Sequence, residues 1–205
     1  MKLTYLVNKK TKTNSLELFG LSRSGKSTYA ESLAGGFDLI KNPKNKFALF
    51  WNFSKFLFKN PIKTLKLFSI LNSNKLSLKS LTFSEKFRIF LMRNSYLLAV
   101  LAKTKYLKSN KPTIFDEFLT QSIFIIIQSK STKKELEKVL SLLNSPCNIL
   151  LFEELKFVRY KRFAQHRFPG GHINKEYSLE WMKNQEHNYK LIKELLLEKY
   201  KKSTF

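Results

Sequence analysis

Residues 20–27 read Gly-Leu-Ser-Arg-Ser-Gly-Lys-Ser and fit the spacing G-x-x-x-x-G-K-[ST], which is typical of a loop that binds phosphate. Glycines let backbone N–H groups converge on phosphate oxygens without a Cβ in the way. We expect Lys26 to reach the β- and γ-phosphates of a nucleotide, and the hydroxyl of Ser27 to bind Mg²⁺. The residues predicted to hold the triphosphate are Gly20, Ser22, Arg23, Ser24, Gly25, Lys26, Ser27 and Thr28.

A pair of carboxylates follows a short apolar segment at 113–115, which is predicted to be a strand. Ligands of open α/β sheets bind at the carboxyl ends of the strands, so Asp116 is expected beside the loop, where it would organise Mg²⁺ directly or through water. Glu117 or Asp116 would accept a proton from the attacking group, which is water in a hydrolase and an acceptor hydroxyl in a kinase. A surface turn with two solvated acids is the alternative interpretation of this pair.

A cluster of basic residues at 157–172 follows a second apolar strand and includes Arg159, Arg162 and Arg167. Guanidinium groups stabilise the negative charge that spreads over a phosphoryl group in transfer, and they often lie on a lid that closes over the site. We therefore predict that 157–172 is a lid and that Arg162 and Arg167 clamp the transferring group. A solvated basic face is the alternative.

Alternating strands and helices must position these residues. Two alternating segments, 2–7 and 15–19, flank a polar turn and predict an N-terminal hairpin whose second strand leads into the loop. The order of the remaining segments predicts a single α/β domain over 1–205, a three-layer α/β/α fold of the P-loop NTPase type with a mostly parallel sheet. Helices are predicted from the loop to Ala34 and at 83–107, 118–129, 133–143 and 179–201, with strands at 113–115 and 148–152.

The segment 39–84 is a basic, aromatic helical insertion that contains no acidic residue. Asn-Pro pairs predict the starts of two short helices, and the helical period places Phe47, Phe50, Trp51, Ser54 and Phe58 on one face. Four interpretations are open: an acceptor pocket for an anionic substrate, a helix pair on anionic lipid through 43–68, a nucleic-acid contact, and a helical subdomain whose aromatic residues form a core. Nucleic acid is the least favoured, because no signature of a nucleic-acid-binding module is present.

The composition restricts the class of protein without choosing the ligand. The 205 residues include 38 basic and 15 acidic ones, a formal charge of +23, which attracts phosphorylated ligands, nucleic acid or anionic membranes. Cys147 is the only cysteine, which excludes an internal disulfide and a cysteine-based zinc site. No signal-peptide pattern is present, and apolar runs such as 123–127 are too short to span a bilayer. We expect a cytoplasmic protein, with peripheral contact to the inner face of the membrane as one interpretation.

The loop, the carboxylate pair and the arginine cluster, in this order, resemble the P-loop small-molecule kinases of the nucleoside and nucleotide kinase group. Residues 20–28 look like the phosphate loop of such kinases, including adenylylsulfate kinases, although Arg23 stands where those usually have a small residue. Residues 114–117 are similar to the strand end of kinase-like ATP-binding proteins found in bacterial surface-polysaccharide gene clusters. The resemblance implies ATP and Mg²⁺, and much less about the acceptor.

The resemblance implies an ATP-dependent kinase and suggests a place in surface-polysaccharide metabolism. The basic segment 39–84 leads us to expect a small or lipid-linked anionic acceptor. Two alternatives are an ATP or GTP hydrolase that drives a conformational change, and a nucleotide-gated binding protein at the membrane surface. The hydrolase is less favoured, because the sequence has neither a Leu-Ser-Gly-Gly-Gln signature nor the guanine-reading Asn-Lys-x-Asp.

Overall fold

A single six-stranded sheet organises the protein. The computed structural model describes residues 2–8, 14–21, 24–33, 35–40, 46–74, 81–108, 111–153 and 175–203. The strands are β1 (Lys2–Val7), β2 (Ser15–Gly20), β3 (Asp38–Ile40), β4 (Thr113–Phe115), β5 (Asn148–Glu153) and β6 (Lys201–Ser203), in the spatial order β3-β4-β2-β5-β1-β6. The pairs β3–β4, β4–β2 and β2–β5 are parallel, whereas β1 is antiparallel to β5 and to β6. The chain is therefore an α/β protein with a mostly parallel sheet, as predicted.

The helices begin where the sequence supplies caps. The Glu85 N–H donates to the Thr82 hydroxyl at 3.3 Å and the Thr82 N–H donates back to the Glu85 carboxylate at 2.8 Å, so the predicted capping box is confirmed. Thr132 and Glu135 form a second box. The helices are α1 (Lys26–Ser32), α2 (Lys46–Lys59), α3 (Pro61–Ser73), α4 (Phe83–Ala102), α5 (Ile123–Ile126), α6 (Lys133–Leu143) and α7 (Lys175–Lys199).

Helices cover both faces of the sheet. Along a strand, successive side chains point to opposite faces. Leu18 of β2 therefore packs on the face that α1 covers through Ala30. Its neighbour Phe19 packs on the other face, in the core cluster that contains residues of α3 to α7. Leu67 of α3 belongs to that same cluster, so the predicted insertion 39–84 packs on the sheet-facing core.

The predicted N-terminal hairpin is wrong. Both segments are strands, but β5 lies between them, with Leu150 opposite Tyr5 on one side and Leu18 on the other. The physical reason lies in the side chains of the strands. Every residue of β2 is buried, as expected for a central strand between two parallel neighbours, whereas the burial along β1 alternates, as expected near the edge of a sheet.

Three other predicted elements differ from the structure. The helix predicted at 83–107 ends as an α-helix at Ala102, and Lys103–Lys108 form a 3-10 helix. The helix predicted at 118–129 is helical only over α5, because the N–H groups of Gln128 and Ser129, which would continue a longer helix, donate instead to the side-chain oxygen of Asn74 at 3.3 and 3.5 Å. Side chains of α7 bind the carbonyl groups of the same two residues. Asn184 donates to the carbonyl of Gln128 at 3.1 Å and Asn188 to that of Ser129 at 2.8 Å. The final helix covers 175–199 instead of 179–201, and β6, which was not predicted, follows it.

Arg93 holds three helices together from the buried face of α4. Its Nε donates to the carbonyl of Ile125 at 3.0 Å, and one Nη donates to the carbonyls of Asn74 at 2.7 Å and Ile126 at 3.1 Å. These carbonyls lie at the ends of α3 and α5. Burial lowers the pKa of Arg93 to about 10, so the guanidinium stays charged at neutral pH.

We predict that Arg93→Met destabilises the fold by about 2–4 kcal/mol, because it leaves three carbonyl groups without donors in a buried environment. Lys86→Met on the exposed side of the same helix is the matched control and should change stability by less than about 0.5 kcal/mol. Urea denaturation followed by circular dichroism measures both values. Equal midpoints for the two variants would contradict this role of Arg93.

Candidate functional site

The turn between β2 and α1 requires glycine at both positions of the motif. A Cβ on Gly20 would lie 2.8 Å from the Cβ of Phe152 and 2.9 Å from its carbonyl oxygen, so only glycine fits against β5. Gly25 has φ 85° and ψ 10°, in the left-handed region that favours glycine. Both glycines of the predicted phosphate loop therefore have a steric reason for their place.

Lys26 is buried within this turn. Its ammonium donates to the carbonyl oxygens of Gly20 and Leu21, each at 2.9 Å, and lies 3.5 Å from the hydroxyl of Ser24. Main-chain oxygens of Gly20 and Leu21 thus partly neutralise this positive charge. A phosphate oxygen that approaches Lys26 would exchange with one of these three acceptors.

The other predicted loop residues differ in exposure. Ser24 is buried, whereas Ser27 and Thr28 in the first turn of α1 are exposed. Ser22 and Arg23 lie outside the described residues. So do the whole predicted lid, 157–172, and its arginines Arg159, Arg162 and Arg167, which remain predictions.

Asp116 lies beside the loop-bearing strand. Phe115 is opposite Glu17 in the parallel pair β4–β2, so Asp116 follows immediately at the carboxyl end of β4, on the same edge of the sheet as the loop. One of its carboxylate oxygens, Oδ1, is buried and has no hydrogen-bond partner within the described part of the chain. A buried carboxylate oxygen without a donor is costly, and a cation or a donor on a ligand would remove that cost.

Glu117 belongs to a set of interacting polar residues that the sequence did not predict. The hydroxyl of Tyr96 in α4 donates to the Glu117 side chain, and burial together with this carboxylate raises the pKa of Tyr96 well above its usual value. The ammonium of Lys103 donates to the main-chain carbonyl of Glu117.

Lys103 is a buried cation beside the two predicted carboxylates. Burial lowers its pKa to about 8, while Glu117, Asp116 and Glu17 act in the opposite direction. Since the side chain is almost fully buried, we assign it a positioning role: it holds the carbonyl of Glu117 and supplies positive charge behind the strand end.

A second unpredicted group connects β2 with the turn after β4. The Glu17 carboxylate is fully buried and accepts from the Thr120 hydroxyl and from the Gln121 N–H, both at 2.9 Å. The side-chain oxygen of Gln121 then accepts from the Gly20 N–H at 3.1 Å. Through these bonds the first residue of the loop is fixed to the segment that follows Asp116 and Glu117.

The sequence contains a signal for only one of these supporting residues. Glu17 interrupts an otherwise apolar strand, and a carboxylate in such a place must find donors. Nothing in the local pattern distinguishes Tyr96, Lys103 or Gln121 from other polar residues, because their role depends on the packing of α4 and of the turn at 116–122.

Two side chains of the candidate site carry oxygens of the kind that Mg²⁺ prefers. No group of three or more His, Cys, Asp and Glu side chains that could hold a metal occurs in the part of the chain that the structure describes. Mg²⁺ bound with a nucleotide does not need one, because one or two protein oxygens suffice beside phosphate and water ligands. The hydroxyl of the exposed Ser27 and the Oδ1 of Asp116, which has no partner among the described residues, are suitable oxygens.

A cavity of about 580 Å³ lies elsewhere, between α6 and α7. Asn144, Ser145 and Tyr200 line it, near the edge at which β5 begins. The phosphate loop follows the opposite, carboxyl end of β2, and none of the predicted site residues lines the cavity. We therefore assign the cavity no part in the candidate site.

These features define an α/β protein with a glycine-dependent turn and a carboxylate pair at one edge of its sheet. Comparisons with protein-family models, with curated proteins and with solved structures find no match to the chain. Within the described ranges, no helix combines the length and the apolar character that crossing a membrane requires.

We predict that Gly20→Ala destabilises the protein by about 1–3 kcal/mol, because the new methyl group meets the backbone of β5, which cannot move without disturbing the sheet. Gly36→Ala is the matched control, since a Cβ there has nothing within 4 Å. Thermal unfolding of both variants tests the prediction. A Gly20→Ala protein as stable as Gly36→Ala would show that the close contact with Phe152 does not exist.

Glu17 generates a prediction about pH. Burial raises its pKa above the ordinary value of 4.5, so the folded protein binds this proton more readily than the unfolded chain. The free energy of unfolding should therefore gain a contribution from Glu17 as the pH falls from the raised pKa toward 4.5. Glu17→Gln keeps an acceptor for the Gln121 N–H and lacks this contribution.

The difference in unfolding free energy, Glu17→Gln minus wild type, should thus be most favourable to the variant at neutral pH and shrink toward acidic pH. Glu17→Ala removes the acceptor for two buried donors and should cost about 2–4 kcal/mol at neutral pH. Urea titrations across this pH range measure both effects. A difference between wild type and Glu17→Gln that is constant with pH would contradict the raised pKa.

Proposed function

We propose that this chain is an ATP-dependent phosphotransferase with a fold of the P-loop NTPase type. It would transfer the γ-phosphate to a small or lipid-linked anionic acceptor. One observation carries the proposal. Lys26 binds the main chain of a turn that needs glycine at both motif positions, and at the same edge of the sheet lies a buried oxygen of Asp116 that has no partner among the described residues.

The strand order supports the same proposal. After β2 the chain continues to β3 and β4, which lie on one side of β2. It then crosses to β5, which lies on the other side of β2. Open α/β sheets bind their ligands at such a reversal, outside the carboxyl ends of the strands. The predicted loop follows β2 at this point, and the carboxylate pair follows its neighbour β4.

Each described residue then has a specific role. Main-chain N–H groups of the loop after Gly20 and the Lys26 ammonium would bind the phosphates, and Ser27 and Asp116 would hold Mg²⁺. Bound Mg²⁺ supplies positive charge that neutralises the phosphate oxygens during transfer. Glu117 would accept the proton of the acceptor hydroxyl, with Tyr96 and Lys103 fixing its position.

The field of the protein favours such a ligand. A formal charge of +23 concentrates anionic nucleotides and acceptors near the surface. Arg162 and Arg167 would place further positive charge beside the phosphoryl group that is transferred, as the sequence predicts.

The test is transfer of labelled γ-phosphate from ATP to a panel of sugars, nucleosides and glycolipids, and to a cell extract. We expect acceptor-dependent transfer that Lys26→Ala reduces roughly 100-fold or more, since removal of one preorganised cationic donor has effects of this size. Lys134→Ala, an exposed lysine on α6, is the matched control and should transfer at the wild-type rate.

Asp116→Asn tests the binding of Mg²⁺ and ATP separately from the stability of the fold. The substitution should weaken Mg²⁺-dependent ATP binding, measured by calorimetry with and without the metal, while the melting temperature stays at the wild-type value or rises. Transfer that survives in Lys26→Ala would refute the mechanism. Rapid ATP hydrolysis that no acceptor accelerates would favour the hydrolase instead.

A further inference from the structure

An unusual set of exposed apolar side chains lies on the helices between β3 and β4. Ten of the twelve large apolar side chains that are exposed among the described residues belong to α2, α3 and α4. On α2, Phe47 is 77% exposed, Phe50 67%, Trp51 56% and Phe58 84%, and we call these four the aromatic surface. Soluble proteins rarely expose contiguous apolar area without a partner for it.

The aromatic surface is separate from the side of α2 that packs in the core. The opposite side of α2 packs inward: Phe53 meets Phe68 of α3 edge to face, with ring centroids 6.1 Å apart, and Phe56 packs against the main core. The interpretation of these aromatic residues as core thus holds for Phe53, Phe56 and Phe68. The same interpretation is wrong for the four residues of the aromatic surface, because they are exposed.

Positive charge surrounds the aromatic surface. Lys55 and Lys59 are exposed on α2, and the Lys55 ammonium lies 5.1 Å from the centroid of the Trp51 ring. Lys66 is exposed on α3. No acidic residue occurs between residues 39 and 84, so the segment offers no carboxylate to neutralise these cations.

We infer that the aromatic surface docks on an anionic lipid bilayer, with the aromatic rings at the level of the headgroups and acyl chains and the lysines on the lipid phosphates. Amphipathic helices with Trp and Phe on one side and lysine beside them bind membranes in this way. The lysine stems contribute apolar area, since their ammonium groups extend to the headgroups. This inference goes beyond phosphoryl transfer and does not depend on it.

The side chains next to the aromatic surface decide between possible occupants. Ile62 and Leu65 of α3 are also exposed. Aliphatic side chains gain nothing from stacking on bases, as a nucleic-acid surface would require, but they gain free energy in a bilayer. A second copy of the chain would bring the same lysines against one another, at an electrostatic cost.

The protein contains two tryptophans, which allows a direct measurement. In a Trp181→Phe background, Trp51 is the only tryptophan, and its emission should shift to shorter wavelength with vesicles of phosphatidylcholine and phosphatidylglycerol. Brominated acyl chains should quench it, and phosphatidylcholine vesicles alone should have little effect. In a Trp51→Phe background, Trp181 should show neither response. An emission spectrum of Trp51 that does not change when anionic vesicles are added would overturn the inference.

Paired variants separate the local surface from the overall charge. Phe50→Ser with Phe58→Ser should lower the affinity for anionic vesicles in flotation assays by about tenfold or more, with an unchanged circular dichroism spectrum, because both side chains are exposed. Lys55→Glu with Lys59→Glu should also weaken binding. Lys134→Glu with Lys138→Glu on α6 makes the same change in charge at another exposed place and should have a much smaller effect.

Three results would contradict docking of the aromatic surface on lipid. Equal effects of the two lysine pairs would show that net charge alone drives binding. A vesicle-free dimer in sedimentation equilibrium that Phe50→Ser with Phe58→Ser dissociates would identify a second copy as the occupant. Single-stranded oligonucleotide that shifts Trp51 emission more than anionic vesicles do would identify nucleic acid.

Discussion

The carboxylate of Glu17 is the interaction on which the candidate site depends. It is fully buried in the central strand and binds the turn that follows the Asp116–Glu117 pair. Gln121 extends this connection to the first glycine of the loop. Burial of an acid is unfavourable, and its pKa rises as a result, but satisfied polar networks of this kind specify one arrangement. The loop and the carboxylate pair therefore have a fixed mutual position.

Helix α4 connects that site with the rest of the molecule. Its inward side supplies Arg93, which holds the ends of α3 and α5, and Tyr96, which binds Glu117. Its outward side exposes Phe87 and Phe90, and α2 packs against it. A single helix thus lies between the carboxylates and the exposed aromatic residues. If lipid binding changes the position of α4, the environment of Glu117 changes with it.

Much of the fold could be predicted because its signals are local. The capping box at Thr82 and the apolar strand at 148–153 depend on neighbouring residues, and both are found. The order of the strands is not a local property, and so β5 between β1 and β2 was missed. For the same reason the motif glycines and Lys26 could be predicted, whereas Tyr96, Lys103 and Gln121 become neighbours of the site only through tertiary packing.

The position of β1 has a consequence for how the chain folds. Its two neighbours in the sheet, β5 and β6, come from residues 148–153 and 201–203. The hydrogen bonds of β1 can therefore form only after those late segments of the chain are available. Contacts so distant in sequence slow folding, because the intervening chain loses its freedom before they form. During synthesis, 2–7 would remain unpaired while most of the chain emerges, and an unpaired strand edge invites aggregation until β5 arrives.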